Sequence, residues 1–120
     1  MKIVIATKNA GKLKEFKELA METPYEFIQI PESIKELPPE TGNSFYENAL
    51  IKAEFISKSL GIPAIGDDSG LEVDALKGQP GIFSARYSKT GLDKDNCLKL
   101  IDNLSRFKLD ERAARFRCCL

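Results

Sequence analysis

The spacing of apolar positions changes several times along the chain, and each change marks an element. Lys2-Ile3-Val4-Ile5-Ala6 is a short apolar run that predicts a buried strand. Thr7-Lys8-Asn9-Ala10-Gly11 breaks it. Lys12 to Met21 then carries Leu13, Phe16, Leu19 and Ala20 on one helical face. Pro24 stops that helix, and Tyr25 to Ile30 predicts a second strand. Pro31, Pro38, Pro39 and Gly42 make residues 31–42 a loop. The strongest helical pattern runs from Ser44 to Leu60, with Phe45, Ala49, Leu50, Ala53, Ile56 and Leu60 in phase. Ser44 and Glu47 have capping-box spacing. Gly61 suits the position just past the helix, and Pro63 prevents its continuation.

Pro63-Ala64-Ile65-Gly66 predicts a short buried strand ending at Asp67 and Asp68. Leu71 to Ala75 predicts another, entered through a tight Ser69-Gly70 turn. Residues 77–91, with Gly78, Pro80, Gly81 and Gly91, read as a long loop. Asp93 is placed to cap a helix with Cys97, Leu98, Ile101 and Leu104 inward. Ala114 to Leu120 predicts a final strand with Phe116, Cys118 and Leu120 inward. The order β-α-β-α-β-β-α-β predicts an α/β fold. An apolar strand with nothing after it has the look of a chain cut short, since termini are usually polar and frayed.

Composition narrows the function. At 120 residues the chain has the length of one domain and needs neither disulfides nor metals to close a core. The 18 Lys+Arg cancel the 18 Asp+Glu, so bulk charge points to neither nucleic acid nor membrane. No apolar run approaches the roughly 20 residues a bilayer requires, and residues 1–10 lack a signal-peptide pattern. The absence of histidine excludes Ser–His–Asp and Cys–His catalysis, and His-ligated zinc or haem. Cys97, Cys118 and Cys119 are not a disulfide framework; they read as core residues of a protein in a reducing cytoplasm.

Three polar groups carry candidate chemistry. Thr7-Lys8-Asn9-Ala10-Gly11-Lys12 lies where a strand meets a helix, and unpaired N–H groups there attract anions. It is either a phosphate cradle or a polar turn with Asn9 as N-cap. Asn48 and Lys52 lie four apart on one helix face with Glu47 nearby. They form either the wall of a substrate cleft or a solvated face with Glu47 capping. Asp67-Asp68-Ser69-Gly70 follows a buried strand, at the strand end where α/β sheets bind ligands. Adjacent Asp side chains on an extended chain point opposite ways, so one is expected to face a given metal. The alternative is an Asp-rich turn. Arg86 and Tyr87 either reach a phosphate or base or belong to a surface loop. A phosphate cradle, a helical lysine and a carboxylate pair together describe a metal–nucleotide site.

In order, Thr7-x-Asn9-x-x-Lys12, Glu40-Thr41-Gly42-x-Ser44-Phe45-x-Glu47-Asn48-Ala49-x-x-Lys52-Ala53 and Asp67-Asp68-Ser69-Gly70-Leu71 resemble the inosine triphosphate pyrophosphatase family. Pro80-Gly81-Ile82-Phe83-Ser84-Ala85-Arg86-Tyr87 and Ala114-Arg115-Phe116-Arg117-Cys118 extend the likeness over essentially the whole chain. The resemblance implies a mixed central β-sheet flanked by helices, with residues 1–120 as a single, incomplete domain. It implies Mg²⁺-dependent hydrolysis of dITP, ITP or XTP between the α- and β-phosphates, giving the monophosphate and pyrophosphate. Thr7, Lys8, Asn9, Ala10, Gly11 and Lys12 would contact the triphosphate, Ser69 would touch substrate, and Lys52 would pair with phosphate. Glu40 and Asp68 would bind Mg²⁺, with Asp67 adding metal or water contacts. Asp68 would also be the general base; because it works ionised, burial is not expected to raise its pKa far. Asn48 and Arg86 join the expected substrate contacts. A cytoplasmic homodimer acting on a purine nucleoside triphosphate, with no nucleic acid or membrane partner, completes the expectation.

The family chain is longer. A Phe-Gly-Tyr-Asp-Pro-like loop and a Ser-His-Arg segment, which read the base, have no counterpart in this sequence. Two functions therefore stand side by side: a pyrophosphohydrolase, or a non-enzymatic remnant that at most binds nucleoside triphosphate. A Maf-like pyrophosphatase is a related alternative that fits Glu40-Thr41-Gly42 with Asp67-Asp68-Ser69-Gly70 less well.

Overall fold

A computed structural model describes residues 1–120. Its elements follow the predicted order: β1 (Lys2–Ile5), α1 (Ala10–Ala20), β2 (Glu26–Ile28), α2 (Phe45–Leu60), β3 (Ala64–Ile65), β4 (Asp68–Val73), α3 (Asp93–Leu104) and β5 (Ala114–Cys119). The α/β class is as expected. The strands are divided between a three-stranded sheet, ordered β2-β1-β3, and a two-stranded sheet of β4 and β5. The chain forms two compact units, one of Met1–Asp68 with Cys119–Leu120 and one of Ser69–Cys118.

In the first unit β1 is central and parallel to both neighbours, with Val4 opposite Ile28 and Ala64. A parallel strand covered on both faces needs apolar side chains without alternation. That explains the uninterrupted Ile3-Val4-Ile5-Ala6, of which Val4, Ile5 and Ala6 are wholly buried. Val4, Ala6 and Ile56 of α2 form the core cluster. Ser44 caps α2 by accepting from the Glu47 N–H at 3.1 Å. Gly61 ends the helix at φ 69°, in the left-handed region where a side chain is disfavoured. Helix α1 buries none of its residues fully; Phe16 meets Phe27 of β2 edge to face at 6.2 Å.

The buried stripe of α2 differs from the apolar face expected of it. Asn48, Ala49, Lys52 and Ile56 point inward, while Leu50 is exposed. The stripe is polar toward the amino end and apolar toward the carboxyl end, so one helix face serves two environments.

In the second unit, Asp74 donates its N–H to the Ala113 carbonyl, Arg115 bonds Asp74 and Arg117 bonds Glu72. Residue numbers thus rise in opposite senses, so β4 and β5 run antiparallel. Strand β4 starts at Asp68 rather than Leu71, and Ser69-Gly70 lies within it rather than in a turn. The ladder gives these backbone groups partners that a turn would forgo. Within residues 77–91 a 3-10 segment runs over Gly81–Arg86.

Three further expectations for this unit are corrected. Phe116 is 81 % exposed and Cys118 is exposed, because a two-stranded sheet offers no second layer to bury them against. On α3, Cys97, Leu98 and Ile101 are exposed while Asn96 and Leu104 are buried. Asn96 faces inward because it finds partners there: its Oδ1 accepts from the Ser88 N–H at 2.8 Å and its Nδ2 donates to the Ala85 carbonyl at 3.2 Å. Leu92, not Asp93, occupies the N-cap, and no side chain caps the helix. Cys97, Cys118 and Cys119 are free thiols, none of them in a core. No helix is long and apolar enough to cross a membrane.

Between β3 and Asp67, Gly66 packs its Cα directly on the Ala49 carbonyl of α2. A Cβ there would also come within 2.9 Å of the Ala49 carbonyl carbon and 3.0 Å of the Ala53 nitrogen. These are backbone atoms of a helix, so helix and strand would have to separate. We expect Gly66→Ala to cost about 1–3 kcal/mol, as overpacked sites do, read as a lower urea midpoint. An unchanged midpoint would refute the close approach.

Candidate active site

The groups of the candidate site in the first unit lie at the amino end of α1, on α2, and in the segments that lead into and out of α2. Asn9 is the N-cap of α1, its Oδ1 accepting from the Lys12 N–H at 3.1 Å. Thr7 Oγ1 accepts from the Asn9 N–H at 3.1 Å, which fixes the turn out of β1. The N–H groups of Ala10 and Gly11 are left without partners. Lys8 donates its ammonium to the Lys35 carbonyl, tying this turn to the loop at 31–42. The turn is therefore capped by Asn9 and also offers free donors at a helix amino end.

The 31–42 loop returns to α2 at Gly42. Its N–H donates to Asn48 Oδ1 at 2.8 Å. A Cβ on Gly42 would stand 2.6 Å from Glu47 Cβ and 2.7 Å from Asn48 Oδ1, so only glycine permits the approach. Glu47 itself is exposed, and its Oε2 accepts from the Asn43 N–H at 2.7 Å. It is a capping residue and not part of the cleft wall. Asn48 is wholly buried and Lys52 nearly so.

Lys52 Nζ lies 3.6 Å from Glu40 Oε1 and 4.0 Å from Asp68 Oδ1. One cation thus stands between two carboxylates, and the three together carry an excess negative charge. Burial pushes the Asp68 carboxyl above its ordinary 3.8, the Glu40 charge pushes it further, and the Lys52 ammonium and Asn48 amide pull it back. The direction is upward because Asp68 is only 7 % exposed and has a second carboxylate beside it.

Asp67 takes a different partner. Its Oδ2 lies 2.5 Å from Lys12 Nζ of α1. No local spacing pointed to this pair, since the two residues are 55 apart in sequence. Asn48 Nδ2, Asp67 Oδ1 and Asp68 Oδ2 are buried without a hydrogen-bond partner. Buried polar atoms are almost always satisfied, so such orphans point to a group yet to be met.

No three or more Asp, Glu, His or Cys side chains gather into a metal cluster. Glu40 and Asp68 nonetheless fit a hard divalent cation, which is often held by one or two carboxylates while substrate phosphates complete its shell. The orphaned Asp68 Oδ2 is a donor of the right kind. Asp67 is turned to Lys12 and does not join them in a three-carboxylate group. Ser69 and Arg86 belong to the second unit. Ser69 is half-buried in β4, and Arg86 is exposed with its guanidinium 5.1 Å from the Phe83 ring centre. Tyr87 accepts from Asn103 Nδ2 at 2.7 Å.

The sequence signature of the Ham1 family matches residues 3–120. Among curated proteins, the chain is 42% identical over 116 residues to the dITP/XTP pyrophosphatase of Thermus thermophilus, spanning 97% of this chain and 56% of that protein. It is 48% identical over 126 residues to the dITP/XTP pyrophosphatase of Thioalkalivibrio sulfidiphilus, spanning 100% and 62%. The Ham1 protein of Coxiella burnetii has a similar structure, with TM-score 0.88 and 39% identity over 98% of this chain and 60% of that one. The Staphylococcus aureus Ham1 protein gives TM-score 0.83 and 43% identity over the same shares. The chain thus spans somewhat over half the length of these relatives.

The Asp68 shift has a sign that stability reports. A carboxyl whose folded-state pKa is raised ionises at a cost in the fold. That cost is absent below the ordinary 3.8 and complete above the folded-state value. Asp68→Asn removes it, so the variant is expected to melt at a higher temperature than the parent at pH 7 in chelator. The difference should close as pH falls toward 3.8. A lower melting temperature for the variant at pH 7 would mean that Lys52 outweighs burial.

Proposed function

The chain belongs to the Ham1 family, and from that premise we propose that it hydrolyses non-standard purine nucleoside triphosphates (dITP, ITP or XTP) to the monophosphate and pyrophosphate. Such an activity removes deaminated nucleotides from the precursor pool. The relatives named dITP/XTP pyrophosphatase support the substrate class. The observation that carries the reading is the Glu40–Lys52–Asp68 set, one cation between two carboxylates, with Lys52 and Asp68 buried and Glu40 half-buried.

Glu40 and Asp68 would hold Mg²⁺, which when bound supplies positive charge to the phosphoryl oxygens. The remaining roles fall to side chains and N–H groups of the chain. Thr7 to Lys12 bind the triphosphate, with the free Ala10 and Gly11 N–H groups donating to its oxygens. Lys52 neutralises phosphate charge beside the reacting centre, and Asn48 adds a substrate contact. Asp68 accepts the proton of the attacking water. The water oxygen bonds to the α-phosphorus, the bond from that phosphorus to the bridging oxygen breaks, and pyrophosphate leaves. A pKa raised above its ordinary value makes Asp68 the stronger proton acceptor when ionised. The three free thiols suit a reducing cytoplasm.

The test is pyrophosphate release from dITP, XTP and dGTP, with and without Mg²⁺, beside Asp68→Asn. We expect release that requires Mg²⁺, prefers dITP to dGTP, and falls by roughly 10²-fold or more in the variant, as loss of a general base does. Release indifferent to Asp68→Asn would overturn the assignment of the base. Triphosphate binding without release would instead favour a non-enzymatic nucleotide-binding protein.

A further inference from the structure

We propose that Asp67 is a positioning residue: its buried carboxylate holds the Lys12 ammonium in place for the triphosphate, and it acts through Lys12 rather than as a metal ligand. This rests on the phosphate-binding role just proposed for Thr7 to Lys12. Asp67 is 2 % exposed and fixed by the short link between β3 and β4, whereas Lys12 is a flexible four-carbon stem that is partly exposed. Their 2.5 Å contact joins a rigid anion to a mobile cation.

Nothing local to α1 would keep that ammonium where it is. Lys12 sits in the first turn, where a cation opposes the helix dipole. The first turn contains no acidic residue to offset it. The counter-charge arrives instead from Asp67, across 55 residues of sequence. An ammonium has three donors. One is given to Asp67 Oδ2, which leaves two for phosphate oxygens beside the free Ala10 and Gly11 N–H groups.

The neighbouring carboxylates divide the work. Successive side chains on an extended backbone point to opposite sides. Asp67 accordingly meets the lysine of α1, and Asp68 lies against the lysine of α2. With Oδ2 committed to Lys12 and no carboxylate cluster around it, Asp67 is poorly placed to share a cation with Glu40 and Asp68.

A double-mutant cycle tests this, with calorimetric binding of inorganic triphosphate as the readout and Mn²⁺ affinity measured separately by electron paramagnetic resonance. The chains are the parent, Asp67→Asn, Lys12→Ala and the double variant. We expect Asp67→Asn to weaken triphosphate binding about tenfold in the parent, within the range of coupled neighbours, and to add no further loss to Lys12→Ala. Mn²⁺ affinity should be unchanged. Asp67→Glu, which keeps the charge but lengthens its reach, should bind at an intermediate level; it also serves as the probe if Asp67→Asn does not fold. An equal loss in both backgrounds, tighter binding, or reduced Mn²⁺ affinity would overturn the proposal. A parent chain that binds no triphosphate would overturn the phosphate-binding role as well. Binding by the parent that ignores Asp67 would overturn this inference alone.

Discussion

Ionised groups withdrawn from water must be answered by opposite charge or by hydrogen bonds, and this requirement organises the first unit. Asp67, Asp68 and Lys52 are all buried. They are tolerable together because the signs alternate: Lys12 against Asp67, then Lys52 against Asp68 and Glu40. The balance is incomplete. Three carboxylates face two ammonium groups, and burial, with the Glu40 charge added to it, raises the Asp68 pKa. The shortage of positive charge falls on Asp68, whose Oδ2 is buried without a partner.

The arrangement depends on two places where backbones touch. At Gly42 the loop settles on the first turn of α2, which brings Glu40 to Lys52 and gives Asn48 Oδ1 its donor. At Gly66 the chain leaving β3 lies on the same helix one turn further along, which delivers Asp67 and Asp68. Both contacts exclude a side chain for steric reasons, and neither requires an unusual φ. Helix α2 is thus the common reference against which the acidic segments are aligned.

Much of this was legible in the sequence. The element order followed from changes of period, and the ends of α2 were marked by Ser44 and Gly61, whose physics is local. The capping role of Asn9 was one of two readings of its turn, and the structure realises it. What was not legible is non-local. The Lys12–Asp67 pair spans 55 residues and leaves no periodic trace. The inward stripe of α2 was misjudged because hydrophobicity was taken to define the inside, while Asn48 and Lys52 are buried through their partners. Asn96 of α3 repeats the lesson, displacing Cys97 and Leu98 from the interior. For Phe116 the alternation was present, but burial depends on a covering layer, which no alternation can supply.

The stripe of α2 that passes from Asn48 and Lys52 to Ile56 has a further implication. One rigid rod is anchored in the oily core at one end and in the charged groups at the other, four residues apart on the same face. Axial slippage or rotation of the rod cannot be confined to either end. Variation that loosens the seat of Ile56 would therefore disturb Lys52 and its pairing with Glu40 and Asp68, without any charged residue having changed. In the same way, an anion gripped by Lys52 would stiffen aliphatic packing it never touches. Selection on chemistry and selection on folding act here through a single lever, so the two cannot drift independently.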